Sequence, residues 1–326
     1  MKVILRNFQQ IEIPLKKPFR VGDILVDRAR SFSYEADFGD HIVKGEIPSL
    51  PLFYPNQSLN SLESLSFHYN EESLDYEKPL FAQSCEFENK DANIIFSIEQ
   101  LILSYLRLKG KPHSWFAYPK PVAKMNSLDT GNTVNLSSSV CKLKIGRFSL
   151  EAERSMIESY LREGIRLRLD GNRMCSIKYL EQLLDGIDLS RIEYIEEPFA
   201  TIKQWEEFSL KDSVGLAVDE SLLDCLKSDY FPQNTVAAII KPSLVLSISG
   251  ILAAVKNSQL KNINLVISSS FETPLSFNTL IHIASNLPIH HGLGTMEHLD
   301  LPKPKQNPFK TIGDKIHGFP LLHFQL

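Results

Sequence analysis

The hydrophobic pattern of the chain changes near residue 120. Before it, residues near 2–13 read as a strand, and SFSYEADFGDHIVKGEI reads as a hairpin turning at Phe38-Gly39-Asp40. Two helical stretches follow. In the second, DANIIFSIEQLILSYLRLKG, the residues Ile94, Ile98, Leu101, Ile102, Tyr105 and Leu108 recur at helical spacing and Gly110 closes the run. Between the first strand and the hairpin, KKPFRVGDILVDRAR is charged and contains glycine, so residues 16–30 are expected to form a mobile loop. After residue 120, eight short apolar segments alternate with helical ones: PVAKMNSL, SVCKLKIG, GIRLRLDGN, IEYIEEP, VGLAVDES, VAAIIKPS, NLVISSSFET and IHHGLGT. One connector, SLEAERSMIESYLREG, carries Met156, Ile157, Tyr160 and Leu161 on one stripe. This alternation predicts a (β/α) barrel, and no GxGxxG turn supports an open doubly wound sheet.

Alternation within the strands then sorts the polar residues. In SVCKLKIG, Val140, Lys142 and Lys144 share one face, and Cys141, Leu143 and Ile145 share the other. The apolar face must meet the helices, so both lysines point into the barrel, where an ammonium group is costly unless something compensates it. The same parity sends Arg166, Arg168 and Asp170 inward, aligns Ile192, Tyr194 and Glu196, aligns Gly215, Ala217 and Asp219, and aligns Ala237, Ile239 and Lys241. Lys144, Asp170, Glu196, Asp219 and Lys241 thus end successive strands at intervals of 26, 26, 23 and 22 residues. In a parallel barrel these ends meet at the C-terminal mouth. Three carboxylates there make a hard oxygen set suited to Mg2+, and a lysine beside a divalent cation and a second ammonium group has a lowered pKa and becomes a base. An ordinary rim salt bridge explains any one of these residues, but not all five in one register.

Composition narrows the partners. With 43% hydrophobic and 23% charged residues and a formal net charge of −4, the 326-residue chain reads as a globular protein without the basic block that nucleic acid or an anionic membrane would require. Cys85, Cys141, Cys175 and Cys225 are widely spaced with no CxxC pair, and are expected to be reduced core residues. The start, MKVILRNFQQIEI, is too short in apolar residues for a signal peptide, so a cytoplasmic location is expected. His290 and His291 are adjacent on one strand, so one faces outward, and both are expected to be structural.

The motifs KLK at 142–144, LRLDGN at 167–172, IEEP at 195–198, VDES at 218–221 and IKPS at 240–243 resemble, in this order and spacing, the muconate-lactonising branch of the enolase superfamily. Within that branch, GEIPSLP at 45–51, RLDGN, IKPS and ISSSFET at 267–273 are most similar to the o-succinylbenzoate synthase family. The resemblance implies a (β/α)7β TIM-like barrel with an α+β capping domain built mainly from the N-terminus. It divides the chain into a capping domain with lid loops at 1–110, a barrel at 111–296, and a segment at 297–326 that packs back on the capping domain. It implies Mg2+ as cofactor with Asp170, Glu196 and Asp219 as ligands, and Glu197 in a supporting position. Lys144 is implied as the base alpha to a carboxylate, Lys241 as a protonated electrostatic partner, and Lys142 as the group that orients Lys144 or helps lower its pKa. Asn172 is implied as a hydrogen-bonding support. Ser269, Ser270 and Arg168 are implied as substrate contacts, and residues 16–30 with Ser49 to Phe53 as the lid. The expected partner is a small anionic carboxylate, with a homo-oligomer compatible.

The activity implied is dehydration through an enediolate, with N-acylamino-acid racemisation or dipeptide epimerisation as the alternative on one scaffold. The last strand, HGLGT, lacks the aspartate-x-aspartate of dipeptide epimerases, which argues against that chemistry but not against racemisation. A Schiff-base lyase and a non-catalytic barrel are more distant alternatives. The cationic front loop and the Gly171-Asn172-Arg173-Met174 exit depart from the expected pattern, and leave the substrate less determined than the metal chemistry.

Overall fold

The computed structural model describes residues 2–21, 24–62, 65–70, 91–117, 121–125, 127–129, 138–256, 262–301 and 309–319. Cys85 and the last residues of the C-terminal segment lie outside them. The N-terminal part is an antiparallel sheet of β1 (Lys2–Val21), β2 (Ile24–Asp37), β3 (Ile42–Pro48) and β4 (Ser66–His68), in the order β3-β2-β1-β4. The turn between β2 and β3 falls where Phe38-Gly39-Asp40 places it, with Gly39 at φ 86°. A short helix, α1 (Leu59–Leu62), precedes the long α2 (Ala92–Leu108). Helix α2 buries Ile94, Ile98, Leu101, Ile102 and Tyr105 against Phe32, Tyr34 and Ile47 of the sheet. Leu108 is exposed rather than part of this stripe, because the helix ends there and Gly110, at φ 72°, turns the chain away.

Residues 16–30 are not an irregular loop. They continue β1 and open β2 as a two-stranded ribbon, pairing Phe19 with Val26, Arg20 with Leu25 and Val21 with Ile24, while Gly22 and Asp23 lie outside the described residues. Cross-strand pairing satisfies the backbone of a segment too polar to be buried.

The remaining strands are β5 (Val122–Met125), β6 (Ser127–Asp129), β7 (Val140–Lys144), β8 (Arg166–Asp170), β9 (Ile192–Glu196), β10 (Leu216–Val218), β11 (Thr235–Ile240), β12 (Asn264–Ile267) and β13 (His290–His291). Strands β6 to β12 form a parallel sheet in chain order. β13 pairs in parallel with β5, and Ser268 bridges Gly292, so the sheet curls back toward its first strand. The helices α3 (Leu150–Arg162), α4 (Ile177–Leu184), α5 (Lys203–Glu207), α6 (Leu222–Ser228), α7 (Ser247–Lys256) and α8 (Pro274–Ala284) follow strands β7 to β12 in turn. This is a TIM-like barrel behind an antiparallel capping sheet. Among the described residues no helix is long and apolar enough to cross a membrane.

Strand parity separates two apolar layers. Cys141, Leu143, Ile145, Leu167, Leu169 and Ile195 join the large core with the helices, whereas Tyr194, Ala217, Ala237, Ile239 and Val266 form a small core within the barrel. Ile192 lies with the outer layer, against the inward alignment expected of it. The pairing of β8 with β9 skips Glu193 between Leu167↔Ile192 and Arg168↔Tyr194, and such a bulge reverses the face of what precedes it. Cys141, Cys175 and Cys225 are buried, as expected of core residues.

The C-terminal segment divides between two neighbours. Leu299 bridges Leu15 and the Asp300 N–H donates to the Pro14 carbonyl, both in β1. Further on, β14 (Lys310–Ile312) and β15 (Lys315–His317) form a hairpin whose second strand pairs with β5, and Phe319 hydrogen-bonds Asn278 of α8. The hairpin therefore docks on the barrel rather than on the capping sheet. The open edge of β5 and the Asn278 side chain supply its hydrogen-bonding partners there.

Candidate active site

The register of the parallel strands places Lys144 beside Asp170 and Asp170 beside Glu196, so three of the charged strand ends are direct lateral neighbours. Asp219 and Lys241 follow the ends of β10 and β11 on the same rim. The Lys142 ammonium lies between two carboxylates, 2.9 Å from Asp170 Oδ2 and donating to Glu196 Oε1 at 2.7 Å. This explains the two lysines on one face of β7: Lys142 is a half-buried counter-charge between two buried carboxylates. Lys241 donates to Asp219 Oδ2. Lys144 stands 3.4 Å from Asp170 Oδ2 and donates to Asn172 Oδ1 at 2.6 Å. Asn172 in turn donates from Nδ2 to Asp170 Oδ1 at 2.6 Å, so one amide joins Lys144 and Asp170.

The three lysines differ electrostatically. Burial lowers the pKa of Lys144, and the pull of Asp170, opposed by repulsion from Lys142 and Arg147, does not overcome it. For Lys142 and Lys241 burial acts the same way, but adjacent carboxylates outweigh it and raise both. Burial and the neighbouring Asp170 and Asp219 charges push Glu196 up. Burial also opposes the Asp170 carboxylate, but Lys142 and Lys144 overcome it and hold its pKa low. Glu196 Oε2 is buried without a hydrogen-bond partner. Among the described residues, no three His, Cys, Asp or Glu side chains are gathered into an ion-holding set as they lie. The chemistry of the donors nonetheless fits a hard cation: three carboxylates on neighbouring strand ends, one with an unsatisfied oxygen.

Several residues brace these strand ends, among them Glu153, which the sequence does not mark. Glu197, held at φ 37°, accepts from the N–H groups of Asp219 at 2.9 Å and Ser221 at 2.7 Å, and from Arg173 Nε at 3.2 Å. It ties the Asp219 turn to β9, and the Arg173 that looked out of place is its partner. Glu153 of α3 accepts from the N–H groups of Gly146, Arg147 and Phe148 at 2.8, 2.7 and 2.9 Å, clamping the turn after Lys144. Gly171 is required by close approach: a Cβ there would lie 2.7 Å from Pro198 Cα.

The expected substrate contacts separate. The Ser269 hydroxyl donates to Glu272 at 2.6 Å and meets Thr295, whereas Ser270 Oγ is buried with no partner. Glu272, which accepts from Ser243 Oγ at 2.6 Å and Ser270 N at 2.6 Å, organises this turn, and the sequence signal was its position two residues after the serines. Arg168 does not join the carboxylate cluster. Its guanidinium pairs with Glu193 at 2.6 Å, donates to the His290 carbonyl at 2.9 Å and stacks over Tyr194, one inward layer below Asp170, because two residues along a strand separate them. Of the lid elements, Phe19 on the ribbon stacks near Phe271 with ring centroids 5.2 Å apart, which brings the ribbon to the turn after Ser270. Both His290 and His291 hold structural partners, Asp314 and the Ile267 N–H.

No family model matches the chain. Curated relatives named o-succinylbenzoate synthase include one from Aliivibrio salmonicida, 26% identical over 324 residues covering 94% of this chain and 96% of that protein. Another, from Aliivibrio fischeri, is 24% identical with 85% of each chain covered. A solved member of the enolase superfamily from Roseovarius nubinhibens superposes with a TM-score of 0.72, 16% identity and coverage of 100% and 95%. The L-Ala-D/L-Glu epimerase of Bacillus subtilis gives 0.67, 16% and 98% of both chains. A dipeptide epimerase from Methylococcus capsulatus, solved with Mg and a dipeptide, gives 0.68 at 15% identity, covering 98% of this chain and 99% of that one. Over nearly its whole length the chain is similar to proteins named o-succinylbenzoate synthase, and its barrel and capping sheet have the fold of solved enolase-superfamily structures.

Proposed function

We propose that the protein is a cytoplasmic, Mg2+-dependent o-succinylbenzoate synthase, a carbon-oxygen lyase that dehydrates 2-succinyl-6-hydroxy-2,4-cyclohexadiene-1-carboxylate in menaquinone biosynthesis. The carrying observation is the row of strand-end carboxylates flanked by Lys144 at one end and Lys241 at the other. Sequence relatives bearing that name support the choice of reaction.

Asp170, Glu196 and Asp219 would hold the Mg2+, which when bound would supply Lewis-acid stabilisation for a substrate carboxylate. Lys144, aimed by Asn172, takes the proton alpha to that carboxylate. The neighbouring carbon-oxygen bond then breaks, and Lys144 returns the proton to the departing hydroxyl, so that water leaves and the ring becomes aromatic. Lys241 stays protonated and opposes the anionic charge that develops. Lys142 keeps Asp170 and Glu196 from repelling one another. Ser270, with its unpartnered hydroxyl, is the donor offered to the second carboxylate of the substrate.

The test is an ultraviolet assay of that dehydration with and without Mg2+, repeated on Lys144→Ala. Loss of a general base removes about 10²- to 10⁴-fold in rate. Activity that survives the substitution, or is indifferent to metal removal, rejects the assignment. A second reading, racemisation of an N-acylamino acid, draws on the same two lysines and on the epimerase folds superposed above. It requires deuterium from solvent to appear at the alpha carbon of such a compound with no water lost.

A further inference from the structure

We infer that Glu99, in the capping domain, is a positioning residue for Lys241 in the barrel; the part played by Lys241 rests on the function proposed above. Glu99 lies in the middle of α2 and is fully buried. Its carboxylate leaves its own domain: Oε2 accepts from the Ile248 N–H at 2.7 Å and the Ser249 N–H at 3.0 Å, and Oε1 accepts from the Ser249 hydroxyl. These are the first-turn groups of α7, which have no partner within the helix. A residue about 150 positions earlier in the chain therefore caps a barrel helix.

The segment that this cap terminates begins at Lys241. The N–H groups of Leu244 and Val245 both return to the Lys241 carbonyl, at 2.7 and 2.8 Å, making a tight turn immediately after the lysine. The chain then passes through Leu246 at φ 71° into Ser247, the first residue of α7, at φ 48°. Two consecutive left-handed residues with side chains are unfavourable, and persist where the surroundings over-determine them. Glu99 is the anchor on the far side of that strained pair. A second capping-domain contact holds the middle of the turn: the Tyr54 hydroxyl donates to the Ser243 carbonyl at 2.8 Å. The turn has one end in β11 and the other on α2. Displacement of the α7 start releases the strained pair and moves Lys241 relative to Asp219, its partner.

Glu99→Leu removes the acceptors at similar volume, and Glu99→Gln preserves them, because the amide oxygen takes both N–H groups and its NH2 donates to the Ser249 hydroxyl. Gln100→Leu serves as the interface control: Gln100 joins the same helix to Leu275 and Thr279 of α8, away from the Lys241 turn. Amide hydrogen exchange and steady-state dehydration in the presence of Mg2+ are measured on all three proteins. The expected result for Glu99→Leu is exchange across 244–249 at least about tenfold faster, and kcat about 10- to 100-fold lower at unchanged KM, since small misplacements of a reacting group cost on this scale. Glu99→Gln restores both, and Gln100→Leu leaves kcat as it is. Unchanged exchange at 244–249 overturns the anchoring, and faster exchange with unchanged kcat overturns the link to Lys241. Inactivity of the unmodified enzyme counts against the proposed reaction, and the exchange data alone then decide whether Glu99 holds the turn.

Discussion

Replacing Gly171 by alanine adds one methyl group at the place where β8 and β9 exit. That Cβ would stand 2.7 Å from Pro198 Cα, 3.1 Å from the Pro198 carbonyl oxygen and 3.2 Å from that of Glu197. Carbon atoms pack best at about 3.5–4.0 Å, so the two backbones must part by roughly 0.8 Å or more. No flexible side chain is available to yield, since all three obstructing atoms are backbone. The β8 exit carries Asp170 and Asn172, and the β9 exit carries Glu196 and Glu197, so the displacement falls between carboxylates that the proposed function requires to act together. Overpacking of this kind costs about 1–3 kcal/mol, and a displacement near 1 Å costs on the order of 10²-fold in rate. Gly110→Ala is the comparison: Gly110 has φ 72° but nothing within 4 Å, so it loses about 1 kcal/mol through backbone strain and leaves the site alone. Thermal unfolding and the ultraviolet dehydration assay on both variants separate the two effects. The close-approach argument is refuted if Gly171→Ala melts and turns over like the unmodified protein, or if Gly110→Ala loses as much activity.

Other expectations follow from buried polar groups. Lys142→Met removes the ammonium group between Asp170 and Glu196 and leaves only Lys144 beside Asp170, which should destabilise the metal-free protein by about 3–5 kcal/mol, with part of the loss recovered on adding Mg2+; melts that match the unmodified protein in both conditions refute it. Glu153→Leu strands the N–H groups of Gly146, Arg147 and Phe148, and urea unfolding should show a loss of at least about 3 kcal/mol. His282 is neutral in the fold because burial lowers its pKa from 6.5 to about 4, so its contribution is complete above pH 6.5 and is lost as the pH falls toward 4. The slope is about 1.4 kcal/mol per pH unit and the whole window roughly 3 kcal/mol. Urea midpoints between pH 7 and pH 4 should therefore fall less steeply in His282→Gln, and an unchanged slope contradicts the burial of a neutral ring.

The local pattern of the chain was enough for the barrel, the hairpin turn at Phe38-Gly39-Asp40, the long helix α2 and the register of Lys144, Asp170, Glu196, Asp219 and Lys241. Those features are local: period-two alternation within a strand decides which residues face inward, and similar spacing between strands repeats the placement. Tertiary structure decided the rest. Ile192 changed face because a bulge opposite Leu167 and Arg168 interrupts the alternation that the sequence displays. Arg168 has the right parity but pairs with Glu193 and the His290 carbonyl, since parity fixes a face and not a depth. The ribbon at 16–30 read as a loop because its partner strand supplies the order, and its own composition does not. Glu99 and Glu153 resemble any surface glutamates in the sequence; each became a clamp only when folding brought unpaired N–H or hydroxyl donors to it. Which face a side chain takes is written into adjacent residues, whereas the partner of a buried charge is chosen by segments far away in the chain, through the requirement that no buried polar group be left alone.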